Sequence, residues 1–162
     1  VNIWHCPADT SYGINNLGQR VPRVRSMSMS NWVGGNGDRP DNGYKGNWGL
    51  SAPNSLVCRK LSQMLRPGPA LTFVLLDERQ DSINDAYFVT EMNGYPNSAT
   101  TQIVDYPASY HGQAAGLSFA DGHSEIHKWR DQRTCPPLQT DLSVVQSPNN
   151  PDIIWLQEHS PH

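Results

Sequence analysis

The sequence has no long hydrophobic run and carries little charge. No stretch of about 18 consecutive apolar residues occurs in the 162-residue chain, so no segment is predicted to be a transmembrane helix. Charged residues make up 17% of the chain and the formal net charge is −3. This charge gives no general electrostatic attraction to nucleic acid or to an anionic membrane. We therefore expect neither nucleic acid nor a membrane surface as a partner of this sequence.

Cysteine is also scarce. The three cysteines are Cys6, Cys58 and Cys135, and no Cys-x-x-Cys spacing occurs among them, which argues against a structural zinc site. They allow at most one internal disulfide, and an oxidising compartment would permit it. The sequence leaves all three pairings open.

Hydrophobic residues are few and turn-forming residues are many. The hydrophobic fraction is 36%, and glycine and proline contribute 13 residues each. This composition predicts a modest core with much of the chain in loops. The length suits one domain and is short for two, so we expect a single domain over residues 1–162.

The clearest local pattern is a β-hairpin in residues 110–129. Two alternating runs are joined by Asp121-Gly122, a dipeptide that favours a two-residue type I′ turn. Side chains alternate between the faces of a strand, so this turn predicts a core face and a polar face. The core face would hold Leu117, Phe119 and Ile126, and the polar face His123, Glu125 and His127.

The predicted polar face has two interpretations. Two imidazoles and one carboxylate on the same side of a strand, from His123, Glu125 and His127, are donor types that a metal site needs. The same residues are also common on the solvated face of an antiparallel sheet. The spacing alone leaves both interpretations open.

The remaining periodicities predict an α+β fold. A strand is expected at residues 25–30, with Met27 and Met29 facing the core, and a buried central strand at residues 71–76. Further elements are predicted as a helix at residues 55–66, strands at 87–91 and 102–106, and a closing helix that begins near Pro151. Together these elements form an antiparallel sheet with long loops and short helices.

Acidic residues are concentrated at the predicted strand ends. Asp77 and Glu78 follow the central strand, Asp85 precedes the next strand, and Asp121 lies in the hairpin turn. Carboxylate oxygens suit a hard cation, so we expect a divalent metal, calcium before zinc. Aspartate also caps turns through its own side chain, which is an equal alternative.

Residues 31–50 are rich in turn formers and contain three aromatic side chains. Trp32, Tyr44 and Trp48 lie among amides and glycines, a composition that suits stacking against sugar rings in a lectin-like carbohydrate site. Tryptophans in long loops more often fold back onto the domain core. The sequence leaves both interpretations open.

A set of motifs extends along nearly the whole chain. His111 is followed after nine residues by Asp121-Gly122. Further segments in the same order are Cys6-Pro7-Ala8-Asp9, residues 22–29, residues 76–78, residues 81–85 and the tail at residues 149–156. This pattern resembles the H-X9-DG signature of pseudopilin-like proteins with prepilin-type leaders.

The resemblance implies a pilin-like globular head that works outside the cytoplasm. Its partners would be pseudopilins or other subunits of a type II secretion system, and its role assembly or surface interaction. Members of this family carry a leader and a long apolar helix, through which they contact the membrane. We expect the present sequence to be the globular part alone, starting after that helix.

Two other hypotheses concern the same hairpin region. Tyr110, His111 and His123 offer acid and base groups, so an extracellular carbohydrate-active or metal-dependent enzyme is the main alternative. No nucleophile elbow, phosphate loop or H-E-x-x-H helix supports it. The structural alternative is that His111 hydrogen-bonds Asp121 and braces the turn, a role common for hydrogen-bonded histidines.

Overall fold

The computed structural model of the chain describes residues 3–34, 57–139 and 143–162 and shows an α+β fold. Nine strands and one α-helix occur within these ranges. They are β1 (Tyr12–Ile14), β2 (Arg20–Pro22), β3 (Met27–Ser30), β4 (Phe73–Asp77), β5 (Tyr87–Phe88), β6 (Gln102–Ile103), β7 (Ala114–Phe119), β8 (Ser124–Lys128), β9 (Val145–Gln146) and α1 (Pro151–Glu158). The predicted fold class is confirmed.

A five-stranded sheet in the order β5-β3-β4-β7-β8 organises the molecule. The β3–β4, β4–β7 and β7–β8 pairs are antiparallel, and β5 runs parallel to β3. The continuous apolar run at residues 71–76 correctly predicts the central strand, β4. Two antiparallel ribbons, β1–β2 and β6–β9, complete the described topology.

Helix α1 covers one face of this sheet and closes the main core. Asn150 caps the helix, because its side-chain oxygen accepts the amides of Asp152 and Ile153, and Pro151 occupies the first turn. The core contains Phe73, Leu76, Phe88, Ile103, Tyr106, Leu117, Phe119, Trp129, Ile153 and Leu156, all buried. Burial of each large apolar side chain contributes about 1.5–3 kcal/mol. The predicted closing helix is confirmed.

The hairpin turn differs from the prediction by one residue. The amide of Gly122 donates to the Phe119 carbonyl (3.0 Å), and the Phe119 amide donates to the His123 carbonyl (2.9 Å). The loop therefore has three residues, 120–122, and Gly122 alone among them has a positive φ, 98°. A type I′ turn needs positive φ at both central residues, so the predicted turn type is wrong.

The longer loop changes which side chains share a face. Leu117 pairs with Glu125 and Gly116 with Ile126, whereas the prediction paired residues 118 and 125. Because side chains alternate with a period of two, a shift of one residue transfers every β8 side chain to the opposite face. Ile126 consequently lies on the outer face and is 60% exposed. Its predicted place in the core is wrong.

Strand β3 also reverses the predicted burial. Met27 and Met29 are half-buried, whereas Ser28 and Ser30 are buried. Ser28 pairs with the core residue Leu76, and its hydroxyl donates to the buried Glu78 carboxylate. Ser28 hydrogen-bonds a buried acid, and the Ser30 hydroxyl accepts the Trp32 amide at 3.4 Å. Alternation of hydrophobicity reveals neither contact.

Three of the predicted elements are shorter in the structure than the sequence suggests. The helix predicted at residues 55–66 includes two residues outside the described ranges, and its described part contains a single 3₁₀ turn, Leu61–Gln63. Strands β5 and β6 have two residues each. No helix in the described part of the chain is long and apolar enough to cross a bilayer.

A substitution at Gly122 tests the assigned conformation of the hairpin turn. A Cβ at this position meets no heavy atom within 4 Å, so the cost of a substitution arises from the backbone, whose φ is 98°. Gly122→Val should lower the free energy of unfolding by about 1 kcal/mol or more. Gly13→Val, in strand β1, is the matched control and should have little effect, because a Cβ there meets only Arg23 Cγ at 3.9 Å and the backbone φ is not positive. Equal unfolding free energies of the two variants in urea would contradict the assigned turn.

Candidate functional site

Three distant segments of the chain meet at the end of β4. Asp77 is the last residue of this strand, and alternation directs its side chain to the outer face of the sheet, opposite to the core residue Leu76. His111 lies just before β7, the neighbour of β4. Cys6 begins a tight turn, because the Asp9 amide donates to the Cys6 carbonyl at 2.9 Å.

The side chains of these three residues converge on one imidazole nitrogen. Cys6 Sγ lies 3.3 Å and Asp77 Oδ2 3.7 Å from His111 Nε2. The three donor atoms all lie within 4.8 Å of one another. Cys6 and Asp77 are buried, whereas the His111 side chain is 33% exposed, so solvent reaches the group from one side. A thiol, a carboxylate and an imidazole in this arrangement could hold a metal ion.

Backbone amides and one hydroxyl fix the positions of the two buried donors. The Ser26 hydroxyl accepts the Cys6 amide (2.7 Å) and donates to Asp77 Oδ1 (3.3 Å). The Gly116 amide donates to Asp77 Oδ2 at 3.4 Å. A Cβ at Gly116 would lie 3.2 Å from that oxygen, so the absence of a side chain lets the carboxylate approach the β7 backbone.

Burial favours the protonated forms of Cys6 and Asp77. It raises the pKa of the Cys6 thiol, and the negative charge of Asp77 adds to the increase. It also raises the pKa of Asp77, against hydrogen bonds from Gly116, Cys6 and Ser26 that favour the ionised carboxylate. A thiol with a raised pKa is a poor nucleophile in the absence of a cation.

The geometry argues against a Cys-His-Asp catalytic triad. In a triad, the nucleophile and the carboxylate contact opposite nitrogens of the imidazole, so that the ring relays a proton between them. Here Cys6 and Asp77 both lie nearest to the same nitrogen, Nε2 of His111. This arrangement resembles converging metal ligands and does not resemble a proton relay.

The structure does not place His111 near Asp121. His111 precedes β7 and Asp121 follows it, and a six-residue strand is about 17 Å long. Asp121 instead accepts from His123, whose Nδ1 lies 2.6 Å from Asp121 Oδ1 and whose ring stacks on Phe119. The predicted His111–Asp121 brace is wrong; the acidic neighbour of His111 is Asp77.

The remaining residues of the predicted polar face do not form a metal group. The His127 ring stacks on Trp155 with ring centroids 3.8 Å apart, and burial lowers its pKa. Glu125 is exposed, and its carboxylate lies 3.8 Å from His127 Nδ1. Within the described ranges, the donor atoms of His123, Glu125 and His127 do not converge as those of a metal site do.

The four acidic residues expected to bind calcium are dispersed. Asp77 and Glu78 point to opposite faces of the sheet, and Asp121 lies beyond the far end of β7. The exposed Asp85 accepts the amide of Tyr87 at 2.7 Å, which is the turn-capping alternative. Among the described residues, Asp77 alone of the four belongs to a group with converging donor atoms.

The aromatic candidates also have structural partners where they are described. Trp32 is fully buried and its indole donates to the Thr90 carbonyl at 2.7 Å, so its ring is not available to a sugar. Tyr44 and Trp48 lie outside the described residues. The Tyr110 hydroxyl accepts the Gln80 amide at 3.1 Å, and burial raises the pKa of Tyr110 to about 12. Such a phenol is a poor acid or base near neutral pH.

Three buried carboxyl groups lie apart from the converging donors. Burial raises the pKa of Glu78 to about 8, and the neighbouring Asp105 adds to the increase. Burial raises the pKa of Asp105 and of Glu91 to about 7. Glu91 is 1% exposed, and its Oε1 accepts the Asn93 amide at 2.7 Å. These groups favour the protonated form in the folded chain.

Sequence reasoning missed Cys6 as a partner of His111. The sequence suggests Cys6 only as a possible disulfide residue. It does not connect Cys6 with His111, because the two residues lie 105 positions apart and no local spacing relates them. One signal was present: Cys6, Asp77 and His111 each lie in a segment that carries the family resemblance. No protein-family model, curated protein or solved structure matches this chain. The resemblance therefore rests on those motif residues.

A double-mutant cycle tests the contact between His111 and Asp77. We expect His111→Ala and Asp77→Ala to be non-additive by about 0.5–3 kcal/mol in the free energy of unfolding, because the two side chains are in contact. The cycle of His111→Ala with Asp121→Ala is the matched control and should be additive within about 0.5 kcal/mol. Coupling to Asp121 and not to Asp77, measured by denaturant titration, would contradict the structure.

The raised pKa of Glu91 predicts a pH dependence of stability. The unfolded chain releases this proton near the ordinary value of 4.5, whereas the folded chain retains it to about 7. Between these values the native state binds more protons, so the free energy of unfolding falls with rising pH, by at most about 1.4 kcal/mol per pH unit for one group. Glu91→Gln should reduce the slope, and the exposed Glu125→Gln should not. A Glu91→Gln slope equal to that of the wild type would contradict this account.

Proposed function

We propose that the chain is a pseudopilin-like globular head that acts outside the cytoplasm in assembly or surface interaction. Its partners on this proposal are pseudopilins or other subunits of a secretion system. The supporting observation is the contact of Cys6, Asp77 and His111. Residues from three segments of the motif pattern meet there and connect the N-terminal segment to β4 and to the start of β7.

The burial and hydrogen bonding of these three residues favour a structural role over catalysis. Two of the three side chains are buried, and hydrogen bonds from Ser26 and Gly116 hold the Asp77 carboxylate. Buried side chains held by hydrogen bonds in this way have a structural role that requires no reaction at the site. The enzyme hypothesis proposes three catalytic residues, and of these only His111 belongs to the group of converging side chains. Tyr110 and His123 have other partners.

The outer face of the sheet offers a surface for such an interaction. Met27, Gly116 and Ile126 line a shallow groove of about 350 Å³, and Ile126 is 60% exposed. Apolar side chains that line a groove together, as Met27 and Ile126 do, offer a partner more contact area than a single exposed apolar side chain offers. The groove adjoins Asp77, because a Cβ at Gly116 would contact both Asp77 Oδ2 and Ile126 Cδ1.

A stabilising divalent ion is part of the proposal, but its expected identity changes. The sequence favours calcium over zinc, because Asp77, Glu78, Asp85 and Asp121 would form an all-oxygen set. The described structure does not bring these oxygens together, and the converging group contains sulfur and nitrogen. Calcium prefers oxygen ligands, whereas thiolate and imidazole suit zinc. The ranking that we now propose is zinc before calcium.

Protease accessibility tests the proposed location. Cells that produce the protein are permeabilised in their outer layers, with the cytoplasmic membrane left sealed, and are treated with protease. An antibody against residues 1–162 should show digestion of the head, while a cytoplasmic marker protein survives. Protection of the head until the cells are lysed would contradict the proposal.

Two further assays on the same material separate the alternatives. In-cell cross-linking should capture a secretion-system subunit, and Ile126→Glu should reduce its yield. Val24→Glu, at a position that is 87% exposed and outside the groove, is the matched control.

The purified domain should release no reducing ends from a polysaccharide panel. Release that disappears in His111→Ala would instead favour the enzyme hypothesis.

A further inference from the structure

We infer that Cys6, Asp77 and His111 are three protein ligands of a site for a borderline divalent metal, with zinc as the best fit. This inference deepens the metal part of the proposed function and is independent of where in the cell the head acts. It rests on the distances between the donor atoms, on their chemical types and on the groups that orient them.

The separations of the donor atoms are close to those expected of ligands that share one metal ion. Metal–ligand bonds of about 2.0–2.3 Å at tetrahedral angles place donor atoms about 3.3–3.6 Å apart. The observed separations from His111 Nε2 are 3.3 Å to Cys6 Sγ and 3.7 Å to Asp77 Oδ2. A separation of 3.7 Å is too long for a nitrogen–oxygen hydrogen bond. One ring nitrogen also carries at most one proton, so it cannot form full hydrogen bonds with both partners.

The donor types select the class of metal. A thiolate, an imidazole and a carboxylate are common zinc ligands, whereas calcium binds oxygen. A bound cation would also compensate for the burial of Cys6 and Asp77, because it stabilises the negative charge that burial disfavours. The exposed part of the His111 side chain provides a route by which the ion can reach the buried donors.

The neighbouring residues orient the ligands as outer partners do in metal sites. Ser26 contacts two ligands at once, through the Cys6 amide and Asp77 Oδ1. The Gly116 amide contacts the other oxygen of Asp77. Such partners fix the direction of a ligand, and their loss typically lowers metal affinity about 10–100-fold.

The site lies beside the groove on the outer face of the sheet. Gly116 lies between them, since a Cβ added at this residue would be 3.2 Å from Asp77 Oδ2 and 3.7 Å from Ile126 Cδ1. Three protein ligands leave a fourth tetrahedral position for water or for another donor.

Cobalt(II) titration under reducing conditions tests the site. Cobalt replaces zinc in such sites and produces a near-ultraviolet charge-transfer band when a thiolate is bound. The purified wild-type domain should develop this band to about one equivalent, and zinc should displace the cobalt whereas calcium should not. Cys6→Ser should abolish the band, and His111→Gln should weaken cobalt binding at least about tenfold.

Two matched variants serve as controls. Cys135→Ser removes a free thiol elsewhere in the chain, and His123→Gln removes an exposed imidazole at the hairpin tip. Both should retain the wild-type band and affinity. Ser26→Ala should lower the affinity about 10–100-fold while the thiolate band remains, which distinguishes an orienting role from ligation.

Specific outcomes overturn the inference. A folded wild-type domain that shows no thiolate band at excess cobalt would exclude the site, as would a band that persists in Cys6→Ser. His111→Gln keeps the test decisive if Cys6→Ser fails to fold, because His111 is partly exposed. Wild-type affinity in a folded His111→Gln would contradict its role as a ligand. Either failure leaves the protease and cross-linking results of the secretion proposal unaffected.

Discussion

The pairing of β4 with β3 and β7 is the interaction on which the rest of the structure depends. The alternation of consecutive β4 residues places Leu76 in the core and Asp77 on the outer face. Glu78, directly after the strand, returns to the core side and meets Ser28. One strand end therefore contributes a core residue, a candidate metal ligand and a buried acid. A one-residue slip of β4 would exchange these roles.

The molecule retains polar groups in its interior that cost stability. Glu78, Glu91 and Asp105 are buried carboxyl groups with raised pKa values, so their ionisation opposes folding. The hydrophobic fraction of 36% leaves a modest core to offset this cost. The contact between Cys6 and His111 joins the N-terminal segment to the sheet, and its contribution to stability matters most in a protein with a modest core. A bound ion would strengthen that contact, because it binds the folded chain in preference to the unfolded chain.

The sequence predicted the elements with strong local signals and failed where tertiary contacts decide. The apolar run of β4 and the Asn-Pro start of α1 were identified correctly, because their patterns are local. The hairpin register was missed, since Asp121-Gly122 suits both a two-residue turn and a three-residue loop. The burial of Ser28 and the approach of Cys6 to the sheet depend on partners distant in the chain. No periodicity within a short window contains that information.

Segments distant in sequence converge through Cys6, Asp77 and His111, and our inference is that the three side chains together bind one ion. X-ray absorption spectroscopy of the zinc-loaded domain tests it most directly, since the sulfur and the lighter ligands have different bond lengths. The account predicts one sulfur at about 2.3 Å with nitrogen and oxygen ligands at about 2.0–2.2 Å, and loss of the sulfur contribution in Cys6→Ser. A zinc shell of nitrogen and oxygen alone in the wild-type domain would contradict it.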